Sequence, residues 1–309
     1  MKLLITSTSF QDTPGLHKKE ILNKGFDIDY LRGPLTKKEL MPIISKYDYI
    51  ICGDDEYDKD VLKIGKESKL KVLSKYGIGL DKIDLKYAQN NNIYVFNTPN
   101  VNSEAVSEHV FALLLTFEKN IITENQITKN NQWTRLIGHE LFNRKILIMG
   151  MGSVGKEVCK KARAFGMKVY GFDIKEDEAF INKYKINFTS NFKSVLSEVD
   201  YISLNMPLND STKHIINKQT LDMCNNEIVI INTARGELVN QDDLVDYLEK
   251  GNVRGYLTDV LDYEPIKPNH PLTKFDNVII TPHIGSRNYE TVERQGLKAV
   301  QNLLNFINK

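Results

Sequence analysis

Lys145 to Asp173, KILIMGMGSVGKEVCKKARAFGMKVYGFD, constrains the fold more tightly than any other stretch of the 309-residue chain. It opens on an apolar run, Ile146-Leu147-Ile148-Met149, with the length and branching of a buried parallel strand. Gly150, Gly152 and Gly155 follow in G-x-G-x-x-G spacing, after which Val154, Val158, Cys159, Ala162 and Phe165 recur at the spacing of one helix face. A second apolar run, Lys168-Val169-Tyr170-Gly171-Phe172, ends in Asp173, 18 residues after Gly155. Strand, glycine turn, helix, strand and acid make a complete dinucleotide-binding unit. Met151, two residues before Ser153, is not glycine, which excludes a serine-hydrolase nucleophile elbow at this turn.

Each residue type has a physical task in such a unit. The first glycine permits the tight turn, the second lets backbone approach a pyrophosphate, and the third lets helix and strand pack closely. The phosphates meet unpaired N–H groups at the helix start, where Ser153 and Val154 stand, and the positive end of the helix dipole. Asp173 would bond the adenosine ribose hydroxyls and repel a 2′-phosphate. No arginine stands beside it, although Lys175 is near, so the expected cofactor is NAD and not NADP.

A chain of this length is expected to form two domains. With 41% hydrophobic and 26% charged residues it has the composition of a soluble globular protein, and a formal charge of +1 points to no nucleic-acid partner. Val110 to Leu115, the longest apolar run, is too short for a membrane span. Met1-Lys2 leads straight into a strand with no cleavage site behind it, and a cytoplasmic location is expected. Cys52, Cys159 and Cys224 are odd in number and far apart, so they are expected as buried small apolar residues outside any disulfide. The six histidines have no metal-ligand spacing, and no metal is expected.

Before the dinucleotide unit, apolar runs at 3–5, 26–30, 49–52, 71–74 and 93–96 alternate with helical stretches near 16–24, 36–46, 58–66 and 84–91. That order predicts a small parallel α/β domain whose chemistry lies just after its strands. Two such segments stand out. Lys75-Tyr76-Gly77-Ile78-Gly79 can turn backbone N–H groups toward an anion, and Gly53-Asp54-Asp55-Glu56 carries three acids. Asn102 or Ser103 then caps a long helix to about Asn120 that is apolar nearly all round, hence buried and most simply placed between two domains. Polar sequence from Thr123 to Gln132 reads as a connection leading through Trp133. Beyond Asp173, runs at 201–204, 228–231, 256–257 and 278–280 extend the dinucleotide sheet, and the last twenty residues form an amphipathic helix.

Arg235, Glu264 and His283 each follow one of these later strands and can converge at the carboxyl edge of the sheet. Histidine exchanges protons near neutral pH, a neighbouring carboxylate favours its charged form, and an arginine fork holds a planar carboxylate. Singly, each residue type is more often structural; three at strand ends beside a cofactor motif point to chemistry.

The glycine motif, Asn232 to Gly236, Asp259 through Glu264-Pro265, and Thr281-Pro-His-Ile-Gly285 resemble the signature of the NAD-dependent D-2-hydroxyacid dehydrogenases. Tyr76-Gly-Ile-Gly79 through Asp84 and Asn97-Thr-Pro99 through Glu108-His109 are similar to that family's substrate loop and interdomain helix, so the resemblance covers nearly the whole chain. It is strongest toward the short D-3-phosphoglycerate dehydrogenases that lack a regulatory domain.

The resemblance implies a Rossmann-type doubly wound parallel sheet in residues 99–285. It also implies a smaller, discontinuous, flavodoxin-like α/β substrate domain from residues 1–98 and 286–309, a cleft between them and a homodimer. It makes His283 the proton donor to the 2-oxo oxygen, paired with Glu264. Arg235 would hold the substrate carboxylate, helped by Lys75, Tyr76 and the N–H groups around Gly77, Ile78 and Gly79. Asp259 would orient the nicotinamide amide, Thr233 and Ala234 line its pocket, and Pro207 flanks the adenosine. The implied partner is a small D-2-hydroxy acid or 2-oxo acid: D-3-phosphoglycerate, or a glyoxylate or hydroxypyruvate type. An NAD-sensing co-repressor of the same fold is the reading from another class.

The acids Asp54, Asp55 and Glu56, with Lys75 where an arginine is common, bear on that choice. Either they face the substrate and repel a phosphate, or they are solvated loop tips.

Overall fold

All named strands of the computed structural model, which describes residues 1–308, pair in parallel with their neighbours. The chain divides into two compact units, Met1–Asn102 with the chain from Arg287 onward, and Ser103–Ser286.

The first unit holds β1 (Lys2–Ile5), β2 (Asp27–Tyr30), β3 (Tyr49–Cys52), β4 (Val72–Lys75) and β5 (Tyr94–Phe96) in the order β2-β1-β3-β4-β5. This is the flavodoxin-like order. Parallel sheets are covered on both faces, and this one is. Leu4, Ile50, Cys52 and Leu73 pack under the helix Lys59–Ser68 on one side. Leu3, Ile5, Ile51 and Val72 pack under Ala299, Val300 and Leu303 of the helix Tyr289–Ile307 on the other. The expected helix at 36–46 is only Lys37–Leu40 followed by a 3-10 turn at Ile44–Lys46.

The second unit holds β6 (Lys145–Met149), β7 (Lys168–Phe172), β8 (Asn187–Thr189), β9 (Tyr201–Leu204), β10 (Val229–Asn232), β11 (Gly255–Thr258) and β12 (Val278–Ile280). Their order, β12-β11-β10-β9-β6-β7-β8, is the doubly wound dinucleotide-binding topology with one strand added at an edge. The helix Ser103–Glu118 belongs to this unit and buries Val110, Phe111, Leu113 and Leu114 with Ile146, Ile148, Val229, Ile231 and Leu257 of the sheet. Its last residue, Glu118, is buried and receives the guanidinium of Arg254, the residue just before β11. Gly255 begins β11 because the ring of Phe117 lies where a Cβ would be, 2.5 Å from its Cζ. Helix and strand are therefore locked where the strand starts.

Two expectations change. The polar stretch taken as a connection contains a helix, Ile121–Lys129, none of whose residues is buried. Of the cysteines, Cys52 and Cys159 are buried, whereas Cys224 is half-buried; all three are free thiols.

In the first unit, His17 on the helix Leu16–Leu22 is buried against Gly296 and donates from Nε2 to the Phe10 carbonyl, 3.2 Å away. Its Nδ1 has no hydrogen-bond partner among the described residues, so protonation there would place an unsatisfied charge in the core. Burial accordingly pushes the imidazole pKa down. A base with a depressed folded pKa stabilises the fold fully above its unfolded value, about 6.5, and loses that contribution as the pH falls from there toward the folded value. Melting curves between pH 8 and pH 5.5 should therefore show a larger acid-side loss for the native chain than for His17→Gln. Equal losses would show that His17 takes up its proton as readily in the folded chain as in the unfolded one.

Candidate active site

The turn after β6 is shaped by glycine. Gly150 has φ +95, and a Cβ there would lie 2.7 Å from the Asn205 carbonyl carbon; one on Gly155 would lie 1.9 Å from the Gly150 oxygen. Both positions require glycine for close packing. Gly152 differs, since a Cβ there would meet nothing within 4 Å, which leaves its face open to a ligand. It is the N-cap of the helix Ser153–Ala164 and supplies no capping side chain, so the first-turn N–H groups of Ser153 and Val154 point toward that open side. Asp173, after β7, accepts from Met151 N–H at 2.6 Å and Lys175 N–H at 2.9 Å, which ties its carboxylate to the glycine turn. A carboxylate has lone pairs beyond those two donors, as ribose hydroxyls need. These residues fit NAD: an open glycine face for the pyrophosphate and an acid for the ribose. Pro207, exposed after β9, accepts from Thr212 Oγ1 through its carbonyl at 2.7 Å.

The turn after β10 is built by a residue to which the sequence assigned no task. Asn232 is fully buried; its Oδ1 accepts from Ala234 N–H at 3.1 Å and its Nδ2 donates to the Arg235 carbonyl at 2.8 Å. The side chain thus replaces ladder bonds and curls Thr233, Ala234 and Arg235 away from the strand. An asparagine at a strand end before a turn was the available signal. Gly236 then lets this turn meet the one after β11, for a Cβ on it would lie 2.0 Å from the Leu261 carbonyl carbon. Arg235 Nη1 donates to the Ala234 carbonyl at 2.7 Å.

The turns after β11 and β12 carry the acid and the histidine. Glu264 Oε2 lies 2.8 Å from His283 Nδ1, and Glu264 Oε1 accepts from Leu261 N–H at 3.0 Å. One carboxylate oxygen orients the ring while the other fixes the carboxylate. His283 itself has φ +54, a left-handed backbone that a non-glycine residue adopts only when its surroundings hold it there. Asp259 is the main holder. Its side chain is 2% exposed; Oδ1 accepts from Thr281 Oγ1 at 2.6 Å and Ile284 N–H at 2.8 Å, and Oδ2 from Gly285 N–H at 2.7 Å. His109 Nε2 approaches Oδ1 at 3.4 Å. Burial would push the Asp259 carboxyl up, but these donors outweigh it and hold the carboxyl below the usual range. Asp259, expected to orient the nicotinamide amide, bonds the loop that bears His283 through its carboxylate.

The first unit alters several expectations. Lys75 is buried, with its ammonium held by Asp54 and the Gly53 carbonyl, and it folds beneath Gly77. Asp54 favours the charged ammonium, so its pKa lies above the usual value although burial opposes this. Lys75, expected to help hold the substrate carboxylate, supports the loop through these bonds. Gly77 N–H donates to Thr98 Oγ1 at 3.0 Å, which narrows the expected anion-binding N–H groups to Ile78 and Gly79; Tyr76 is half-buried beside them. Of the three acids, Asp55 is neither a loop tip nor solvated. It is 1% exposed and accepts from Thr6 Oγ1, Leu35 N–H and Tyr57 OH. Glu56 accepts from Lys37 N–H at 2.8 Å. Among the described residues no group of three or more His, Cys, Asp or Glu could hold a metal ion, and no helix is long and apolar enough to cross a membrane.

Comparison with known proteins places this arrangement. Residues 111–285 match the family model for the D-isomer specific 2-hydroxyacid dehydrogenase NAD binding domain. The chain is 30% identical over 301 residues to a glyoxylate reductase of Korarchaeum cryptofilum, covering 94% of this chain and 89% of that one. It is 31% identical over 299 residues to a D-3-phosphoglycerate dehydrogenase of Methanocaldococcus jannaschii, covering 96% of this chain but 55% of the longer relative. Among solved structures, the Aquifex aeolicus D-lactate dehydrogenase complexed with NAD and lactic acid is similar over all of this chain and 96% of its own, with TM-score 0.88 and 26% identity.

Proposed function

This chain belongs to the D-isomer-specific 2-hydroxyacid dehydrogenase family and is an NAD-dependent oxidoreductase, and on that premise we propose that it reduces a small 2-oxo acid of the glyoxylate or hydroxypyruvate type. The observation that carries the chemistry is the pair His283 Nδ1 and Glu264 Oε2 at 2.8 Å, on a loop clamped by Asp259. NADH, held at the open glycine face and Asp173, would supply the hydride for C2. The chain supplies the proton and the geometry. With Nδ1 committed to Glu264, Nε2 is the nitrogen that donates a proton to the carbonyl oxygen, and Glu264 stabilises the ring in its charged form. Arg235 grips the substrate carboxylate with its guanidinium fork. In the oxidative direction the same nitrogen takes the hydroxyl proton.

Two observations favour a substrate without a phosphate. Lys75 is committed to Asp54 inside its own unit, and a relative of matching length is a glyoxylate reductase, whereas the phosphoglycerate dehydrogenase is far longer. The test is oxidation of NADH and NADPH with glyoxylate, pyruvate, hydroxypyruvate and phosphohydroxypyruvate. NADH-dependent reduction of glyoxylate or hydroxypyruvate is expected, and His283→Gln should lose at least about 10²-fold in kcat while binding NADH as before. A clear preference for the phosphorylated acid would move the substrate to D-3-phosphoglycerate. Tight NADH binding with no turnover would leave a cofactor-sensing role, and full turnover by His283→Gln would remove that residue from the mechanism.

We also propose that the protein is a homodimer joined through residues 121–142 of the second unit. That segment exposes Ile121, Ile122, Trp133 (81%), Leu136, Ile137 (96%) and Phe142, a density of apolar side chains that marks an interface. A second copy is the partner that closes such a patch on itself. Light scattering should give twice the mass of one chain, and Trp133→Glu with Ile137→Glu should give the single-chain mass with NADH still bound. An unchanged dimer in that variant would exclude this surface.

A further inference from the structure

We propose that His109 is a positioning residue for the reaction, acting on His283 through Thr281 and Asp259. The proposal rests on the functional reading above for its kinetic consequence, and on the geometry of one unit for everything else.

His109 lies within the helix Ser103–Glu118, one residue before the run that packs on the sheet. Its side chain is 16% exposed, and Nε2 stands 2.9 Å from Thr281 Oγ1 and 3.4 Å from Asp259 Oδ1. The direction of these bonds can be deduced. The Thr281 hydroxyl has a single hydrogen and is 2.6 Å from the Asp259 carboxylate but 3.5 Å from the Thr258 carbonyl. A charged acceptor at the shorter distance takes that hydrogen. Oγ1 is then the acceptor toward His109, whose Nε2 must carry a proton. The chain of donors runs from His109 to Thr281 to Asp259.

The far end of that chain is the catalytic loop. Asp259 accepts from Thr281, two residues before His283, and from the N–H groups of Ile284 and Gly285, the two residues after it. Both sides of His283 are therefore gripped by one carboxylate, and the left-handed backbone between them is held against its own preference. Of the four donors around that carboxylate, three come from the loop itself. Only His109 comes from another element, and it ties the clamp to the helix that packs on the sheet. Gly285 makes room for this: a Cβ there would lie 3.0 Å from Asp259 Oδ2 and 3.6 Å from His109 Cδ2. Backbone bonds from Thr281 N–H to the Thr258 carbonyl and from His283 N–H to the Asp259 carbonyl, both 2.9 Å, keep the loop on β11. What the His109 donor adds is the side-chain link that fixes the Thr281 hydroxyl and the carboxylate, and through them the registration of the His283 ring with Glu264.

The test uses the full chain with His109→Leu and His109→Gln, the latter placing an amide N–H near the position of Nε2. Hydrogen exchange needs no turnover. The Ile284 and Gly285 amides should exchange at least about 10-fold faster in His109→Leu and near the native rate in His109→Gln. With the best 2-oxo acid, His109→Leu should lose about 10- to 100-fold in kcat, with the KM and the NADH affinity within threefold, and His109→Gln should recover most of it. In the His283→Gln background the leucine substitution should cost nothing further, since the loop then positions no proton donor. Native protection of the two amides in His109→Leu, an additive loss in the double variant, or no recovery by glutamine would each overturn the proposal. Absence of turnover in the native chain would instead count against the functional reading, and the exchange measurement would still decide this one.

Discussion

The buried carboxylate of Asp259 is the interaction on which the site depends. An ionised carboxylate taken from water is costly unless donors replace its hydration. Here Thr281, Ile284 and Gly285 bond it directly and His109 stands at its edge. Bonds to a charged acceptor contribute about 1.5–3 kcal/mol each, and the donors together outweigh burial, His109 first and then Thr281 and Ile284, which holds the pKa below the usual range. The same bonds that keep the charge stable fix the loop. His283 in a left-handed conformation becomes tenable because the residues on either side of it are the donors the carboxylate requires.

That arrangement has a frame. The helix Ser103–Glu118 and β11 are joined at both ends: Glu118 meets Arg254 before the strand, and His109 meets Asp259 after it. Phe117 over Gly255 sets the approach of helix to strand. Breaking a buried ion pair by removing one partner is strongly destabilising, because it leaves the other charge unpaired. Glu118 and Arg254 thus hold the far end of the lever on which His109 sits. Beside β11, Asn232 and Gly236 curl the turn that presents Arg235 against the turn that presents Glu264. Three neighbouring strands, β10, β11 and β12, bring guanidinium, carboxylate and imidazole to one edge.

Much of this was legible from local pattern. The strand, glycine turn and helix after Lys145 switch period within a few residues, and the glycines are needed for contacts that a Cβ would forbid, so motif and geometry coincide. The candidate triad was legible for the same reason, since each member follows an apolar run. Less legible were elements lacking that signal. β8 is Asn187-Phe188-Thr189, too short and polar to announce a strand, and the helix Ile121–Lys129 mixes exposed isoleucines with polar residues and has no buried face. Least legible were fates decided by distant partners. Asp54, Asp55 and Glu56 look alike in sequence, yet Asp55 is buried because Thr6 and Leu35 N–H, 49 and 20 residues away, complete its shell. His109 and Thr281 are 172 residues apart, and no spacing rule joins them.

The most direct test of this account is the kcat of Asp259→Asn measured beside its melting temperature. The amide keeps the shape and one acceptor oxygen but lacks the charge, and its NH₂ faces N–H groups of the loop. The account predicts a chain that still folds and binds NADH, with kcat lower by about 10²-fold or more because the proton donor has lost its registration. Native turnover by Asp259→Asn would contradict it, showing that His283 is held by its own loop and that the buried charge serves only the stability of the sheet edge.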